Sequence, residues 1–483
     1  MQPIKVDDAM NRANSNTLHW MAITFVLFPI LILLGIFLRT VQGGGLAGLQ
    51  SWFYPLMTLH GVGMVGVWYV AAMAGVSEML SRHVQPSLLM GRIALGGTLL
   101  GVVLLLVCVF VGRFAAGWYF LYPLPFKGEW PKWATVTFLL SLTVLGATWL
   151  LWSLDLLRAI ARRYSLPQAL AWHYLAGRSE PELPPGVLIA TVSLIAGVAA
   201  LLSGVVVLVL YYAELLAGVA NDALLMKNIT FFFGHTLVNL TMYLGVALVY
   251  DVLPQYAGRP WKTNRIVAIA WNCVLLIVLF AYFHHLYMDF VQPGALQTIG
   301  QVASYASAIP SAVVTIFGAL LLVYRAPMRW NLASALMFLG LAGWAIGGVG
   351  AVIDSTISAN VKLHNTLWVP AHFHTYFLAG VVFMVVGYFY HRCQEIVELP
   401  ESRGMQRSAA TLMVIGAYGV FAMFYFAGVY SVPRRYAVYP AELAYGAKYA
   451  AVAAGFAATF LLGFIVYLAE IGKRWLRAAR ATA

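Results

Sequence analysis

Twelve apolar runs constrain this chain more than any other feature. Each is about 20 residues or longer, the length a helix needs to cross a hydrocarbon layer. They lie near residues 18–40, 52–81, 90–112, 133–157, 186–213, 227–252, 265–287, 297–324, 331–354, 363–391, 408–431 and 442–470. Inside a bilayer every backbone polar group must be satisfied within the protein, so only helices or closed barrels span it. Continuous runs of this length select helix, and the expected fold is an all-α integral membrane protein with twelve spans. Composition agrees: 62% of the 483 residues are hydrophobic and 10% are charged, whereas soluble domains carry roughly 25% charged residues. The longest linker, about 158–185, reads as a surface loop with a short amphipathic helix. No linker can hide a second domain, so residues 1–483 are expected to form a single transmembrane domain. The polar start, MQPIKVDDAMNRANSN, gives no sign of a cleavable signal peptide.

The formal charge of +12 forms no single patch, which argues against nucleic acid as a partner. The basic residues instead follow topology, because cytoplasmic loops hold an excess of Lys and Arg. With the N-terminus inside and strict alternation, 20 basic residues fall inside and 9 outside, the latter including Arg39, Arg434 and Arg435. An N-in, C-in multi-pass protein of a prokaryotic cell (inner) membrane is expected, with the lipid bilayer as its surroundings. Cys108, Cys273 and Cys393 are too scattered for a disulfide framework or a shared metal motif.

Six histidines lie inside these runs, where a polar side chain is costly and usually functional. His60 is in span 2 (MTLHGVGMV), His235 in span 6 (FFFGHTLVNL), His284 and His285 end span 7 (FAYFHHLYMD), and His372 and His374 are in span 10 (HNTLWVPAHFHTYF). Counted from the span ends at about 1.5 Å per residue, all six fall in the outer third of the bilayer. Unrelated packing histidines have no reason to share a depth. His372 and His374 are two positions apart, about 200° around a helix, so their rings face opposite sides and serve different groups. His60, at matching depth, suits the second axial position opposite His374 on a six-coordinate haem. His372 is then the single protein ligand of a second haem with an open face. His235, His284 and His285 make a three-imidazole site suited to copper or iron, with a position open for substrate.

The run GHxxV on span 6, HH at the end of span 7 and HNTxWVPxHFH on span 10, in that order, resemble the catalytic subunit of the haem–copper oxidase superfamily along almost the whole chain. The last motif and the PRR holding Arg434 and Arg435 look most like its B-type branch. The resemblance implies a subunit I fold with two haems, b-type by expectation, and one non-haem metal, copper or iron. It implies that His60 and His374 bind the low-spin haem and His372 the high-spin haem, with the metal on His235, His284 and His285. It places Arg434, Arg435 and His364 at the haem propionates. Asn360 departs from the B-type pattern, which usually has an acid there.

A second departure bears on the reaction. Oxidases of the A and B types have a tyrosine four residues after the first metal-binding histidine, where this chain has Asn239. Rapid O2 cleavage takes four electrons, one of them from that tyrosine, and asparagine cannot supply it. Joining two NO molecules into N2O and water takes two electrons and two protons. Nitric oxide reductases of the superfamily replace the tyrosine, so the resemblance is to the reductases allied to B-type oxidases, with O2 reduction by a cytochrome c or quinol oxidase as the alternative. Asn239, one turn from His235, is a candidate for a hydrogen bond to the bound nitrogen oxide. Tyr282, or Tyr287, keeps a radical donor available for O2 chemistry.

On span 8, Gln297, Gln301, Ser304, Ser311 and Thr315 share one helix face, with Tyr305 beside them. The family has a proton path on this helix, so these six are expected to form one. Electrons imply a donating partner subunit, by resemblance a single-span protein with an outward-facing copper or haem domain. The competing class, a polytopic transporter, predicts broken helices and charged midplane residues, a poorer match to histidines gathered in the outer third.

Overall fold

The computed structural model describes residues 6–288, 293–397 and 402–482. Lys5, one of the basic residues used for orientation, lies outside them. Among the described residues twelve helices are long and apolar enough to cross a membrane: α1 (Asn16–Gln42), α2 (Gln50–Ser81), α3 (Leu88–Val111), α4 (Lys132–Tyr164), α5 (Pro185–Ala217), α6 (Ala223–Ala257), α7 (Arg265–Leu286), α8 (Gly294–Val323), α9 (Leu332–Ser355), α10 (Trp368–Ile396), α11 (Arg403–Val429) and α12 (Gly446–Arg474). Among the described residues no strand forms, and the one isolated bridge joins Thr366 to Pro433. The 158–185 linker contains two short helices, Leu166–Ala169 and Trp172–Leu175.

The three spans with the highest share of burial are α6, α10 and α2, with 83%, 72% and 61% of their most apolar stretch buried; no other span exceeds 44%. These three carry His60, His235, His372 and His374. Membrane helices bury their functional polar groups against protein rather than lipid, so burial and histidine content rise together.

Several spans depart from continuous α-helix, α3 and α8 through π segments at Val107–Val111 and Val313–Phe317, and two of the departures fall at histidines. The expected span 265–287 is α-helical only over Arg265–Ile277, and its histidine pair rides on a 3-10 turn, Ala281–Leu286. The break leaves carbonyls without helical partners, and α8 takes two of them. Ser304 Oγ lies 3.2 Å from Ala281 O, and Gln297 Nε2 donates to Tyr287 O at 2.8 Å. Span 10 starts at Trp368 rather than 363, because Asn365 takes a left-handed φ of 60° and the 364–367 segment pairs with the 432–434 loop instead. Immediately after His374 the helix widens into a π segment, Thr375–Val382, a local distortion that often accompanies functional positions.

The chain's contacts gather into two compact units. In the first (Met1–Phe28, Gly61–Asp251, Lys262–Leu279), Trp20 of α1 stacks on Trp152 of α4 with ring centroids 5.2 Å apart. In the second (Pro29–His60, Val252–Trp261, Phe280–Ala483), α9 lies close against α10 through small residues. A Cβ on Gly343 would sit 2.4 Å from Ala379 O, so only glycine permits that approach.

Candidate haem and metal centre

Three residues of α1 spaced by four, Leu31, Gly35 and Arg39, build the wall beside His60 and His374. His60 Nδ1 lies 2.8 Å from Leu31 O. A carbonyl has no proton to give, so Nδ1–H donates and the lone pair is left on Nε2. His374 repeats the device within its own helix, its Nδ1–H donating to Pro370 O at 2.7 Å. A Cβ on Gly35 would lie 2.9 Å from His60 Cε1, so the ring rests directly on the α1 backbone. Arg39 places its guanidinium 4.9 Å above the Phe424 ring, and Phe424 meets His374 edge-on at 5.3 Å. Arg39 Nη1 is buried without a hydrogen-bond partner among the described residues. Such a donor needs an acceptor, and a haem substituent would supply one. Two imidazoles with Nε2 lone pairs beside a guanidinium whose Nη1 has no acceptor among the described residues fit a bis-histidine haem. Sequence reading placed Arg39 among the outer cations and missed this role; the signal was its i+4, i+8 spacing from Gly35 and Leu31.

His284 and His285 each offer a ligand nitrogen from the turn Ala281–Leu286, and His235 offers one from α6. The adjacent rings of His284 and His285 have centroids 4.2 Å apart and are tilted by 41°. His284 is buried, and its Nδ1 lies 2.9 Å from Ser304 Oγ. His235 Nδ1 lies 3.1 Å from Asn239 Nδ2, one turn further along α6. By their donor chemistry, three imidazoles suit a copper or iron ion with an open position.

His372 is held differently. Its Nδ1 is buried without a hydrogen-bond partner among the described residues, and its Nε2 is 4.0 Å from Asp354 Oδ2, too far for a hydrogen bond. The Asp354 carboxylate is buried at the end of α9, and Asn360 Nδ2 donates to its backbone oxygen at 2.7 Å. Asn360, where the sequence pattern led us to expect an acid, therefore packs against an acid six residues earlier. His364, at the end of the short helix Ile357–Leu363, donates its backbone N–H to Asn360 O at 2.8 Å. Arg434 Nη2 donates to Asn365 Oδ1 at 2.8 Å, and the Arg434 N–H to Asn365 O at 3.0 Å, tying the arginine loop to the start of α10. Arg435 has a left-handed φ of 72°, and its carbonyl accepts from Tyr54 Oη at 3.2 Å.

The polar face of α8 makes specific contacts. Gln297 holds Tyr287 O, Ser304 meets His284, Gln301 Oε1 accepts from the Ile357 N–H at 2.8 Å, and Tyr305 Oη pairs with Thr356 Oγ1 at 2.5 Å. Further along, Ser311 bonds back to its own helix at Ser307 O, 3.3 Å, and Thr315 is fully buried. Tyr282 stacks on Phe283 with centroids 4.3 Å apart, and Tyr287 Oη donates to Ser355 O at 3.1 Å.

Residues 16–465 match the family described as Cytochrome C and Quinol oxidase polypeptide I. The chain belongs to that family. It is thus a haem–copper oxidase subunit I, an oxidoreductase of a family that binds haems and a copper or other metal, and a multi-pass protein of a prokaryotic cell membrane. Among relatives, cytochrome c oxidase subunit 1 of Synechocystis sp. is 23% identical over 407 residues, covering 81% of this chain and 70% of that protein. The protein of the same name from Thermus thermophilus is 26% identical over 234 residues, covering 44% of this chain and 41% of its own length. A solved heme-copper terminal oxidase dimer shares the fold at TM-score 0.75 with 20% identity, covering 95% of this chain and 84% of the other.

Proposed function

We propose that this subunit reduces two NO molecules, with two electrons and two protons, to N2O and water. The observation that carries the reading is Asn239. At the position one turn after His235 the chain offers an amide, and that amide is engaged with His235 Nδ1 at 3.1 Å. An amide can neither supply an electron nor form the tyrosine cross-link. On this reading His60 and His374 hold a low-spin haem, His372 a high-spin haem, and His235, His284 and His285 a non-haem metal, with Arg434, Arg435 and His364 near the propionates. When bound, the haems and metal supply the electrons and the gas-binding positions. The chain's own work is to present Nε2 lone pairs and to deliver protons. The proposed route for protons is the α8 face of Gln297, Gln301, Ser304, Tyr305, Ser311 and Thr315. Residues 1–483 act as one catalytic domain, and a donor subunit with an outward-facing copper or haem domain supplies electrons.

A second reading, reduction of O2 to water, draws support from the names of the relatives and from Tyr282 in the segment that bears the histidine pair. Turnover of NO and of O2, measured side by side with one reduced donor, decides between them. NO turnover well above O2 turnover is expected; oxidase-like O2 rates with NO at background would overturn the proposal.

A further inference from the structure

We propose that Ser304 is a positioning residue for the non-haem metal, fixing which nitrogen of His284 is left to bind it. The inference rests on the assignment of His284 as a metal ligand. Ser304 is buried, and its hydroxyl has a single proton. That proton is drawn to Gly300 O, 2.6 Å away on the preceding turn of α8, with Ala281 O a second acceptor at 3.2 Å. Both neighbours are carbonyls and can only accept. Toward His284, at 2.9 Å, the hydroxyl oxygen must therefore be the acceptor. Nδ1 of His284 then carries the ring proton, and Nε2 carries the lone pair that a metal requires. Without Ser304 the ring loses this acceptor and keeps only the Ala281 carbonyl to favour the Nδ1–H tautomer.

The surrounding backbone is shaped to allow this contact. A Cβ on Gly300 would lie 2.7 Å from Phe283 Cβ and 3.1 Å from the Phe283 carbonyl carbon. Glycine at 300 lets α8 come close enough to the Ala281–Leu286 turn for a side chain as short as serine to reach the imidazole. Gln297 anchors the far end of that turn through Tyr287 O. One helix thus grips the histidine pair at three points, two of them at backbone carbonyls. The hydrogen bond to the imidazole is the one that acts on the ligand itself, and partners of this kind typically set metal affinity over about 10–100-fold.

The test uses the purified holoprotein in membranes or detergent, challenged with chelators of graded strength. Retained copper or iron is counted by elemental analysis and the haems by their optical spectra. Ser304→Ala should release the non-haem metal at about 10–100-fold weaker chelation with both haems unchanged. Ser304→Thr, which keeps the hydroxyl, should hold it within a few-fold of wild type. A Ser304→Ala protein with wild-type metal retention would overturn the proposal. Lowered turnover at wild-type retention would also overturn it, and would assign Ser304 to proton delivery alone. If Ser304→Ala does not accumulate, Ser304→Thr and Ser304→Cys carry the test: cysteine, a poor acceptor, should bind metal more weakly than threonine, and equal retention would sink the idea. A His284→Ala control separates the two levels of argument, since metal retained in that variant overturns the ligand assignment rather than the role of Ser304.

Discussion

His60 and His374 lean on backbone; His284 and His235 lean on side chains. The first pair give their Nδ1–H to Leu31 O and Pro370 O, whereas the second pair meet Ser304 Oγ and Asn239 Nδ2. A carbonyl inside a helix is fixed by the helix, and no change of side chain at Leu31 removes it. A serine hydroxyl or an asparagine amide is one substitution from absence, and its chemistry is adjustable. On the proposed assignment, the histidines of the low-spin haem are thus built for permanence and His235 and His284 for tuning. His235 shows the adjustability directly. With Nδ2 toward the ring, Asn239 donates to Nδ1; a half-turn of the amide presents Oδ1, so that Nδ1–H donates and Nε2 is left for the metal. No such freedom exists at Leu31 or Pro370.

The largest effects expected from this contrast are the losses of the ligands themselves. Because the backbone anchors cannot substitute for an imidazole, His60→Ala or His374→Ala should abolish the low-spin haem and leave the high-spin haem in place. Optical and haem-content measurements check this; loss of the high-spin signal alone would break the assignment by helix face. Next, His284→Ala, His285→Ala or His235→Ala should remove the non-haem metal and all gas reduction while both haems stay. Metal analysis showing full occupancy in all three variants would refute the three-imidazole site.

A smaller effect separates the two kinds of anchor. Asn239→Ala removes a polar partner of a ligand, a loss of about 1–3 kcal/mol, or about 5–150-fold if expressed in rate. Reduced NO turnover together with weaker metal retention would place Asn239 beside Ser304 as an anchor. Reduced turnover with normal retention would move it to the substrate side, the role the sequence suggested. No change in either measurement would remove it from the mechanism.

What the sequence made legible follows from the cost of polarity in lipid. Twelve spans and six histidines stand out because a membrane tolerates neither a short helix nor an idle imidazole. The anchors were hidden for a different reason. Leu31 and Pro370 act through carbonyls, and a backbone acceptor carries no signature in residue type. Ser304 was visible only as part of a polar stripe. Its contact with His284 depends on α7 breaking after Ile277 and reforming as a 3-10 turn, which no periodicity in LFAYFHH announces. Arg39 was read only as an outer cation because a charge near the end of an apolar run resembles a flanking residue. Its guanidinium lies 4.9 Å above the Phe424 ring.

The smallest predicted effect tests the claim of permanence where it is weakest, at the one place where a side-chain change can reach a backbone anchor. Gly35 sits one turn after Leu31, and its missing Cβ is what lets His60 lie on α1. In Gly35→Ala the new methyl would meet His60 Cε1 at 2.9 Å. The ring cannot simply retreat, because its Nδ1–H is tied to Leu31 O. Either the hydrogen bond lengthens or α1 shifts outward, at a cost of about 1–3 kcal/mol for overpacking. The low-spin haem should remain but with a shifted optical band or midpoint potential, and the non-haem metal should be retained as in wild type. Gly96→Ala on α3 is the matched control, since nothing lies within 4 Å of a Cβ there. Removing a helical glycine with open space around it should be neutral or stabilising by up to about 1 kcal/mol. If Gly35→Ala left both stability and the low-spin signal at the level of Gly96→Ala, then His60 would not rest on α1, and the backbone would not be what holds it.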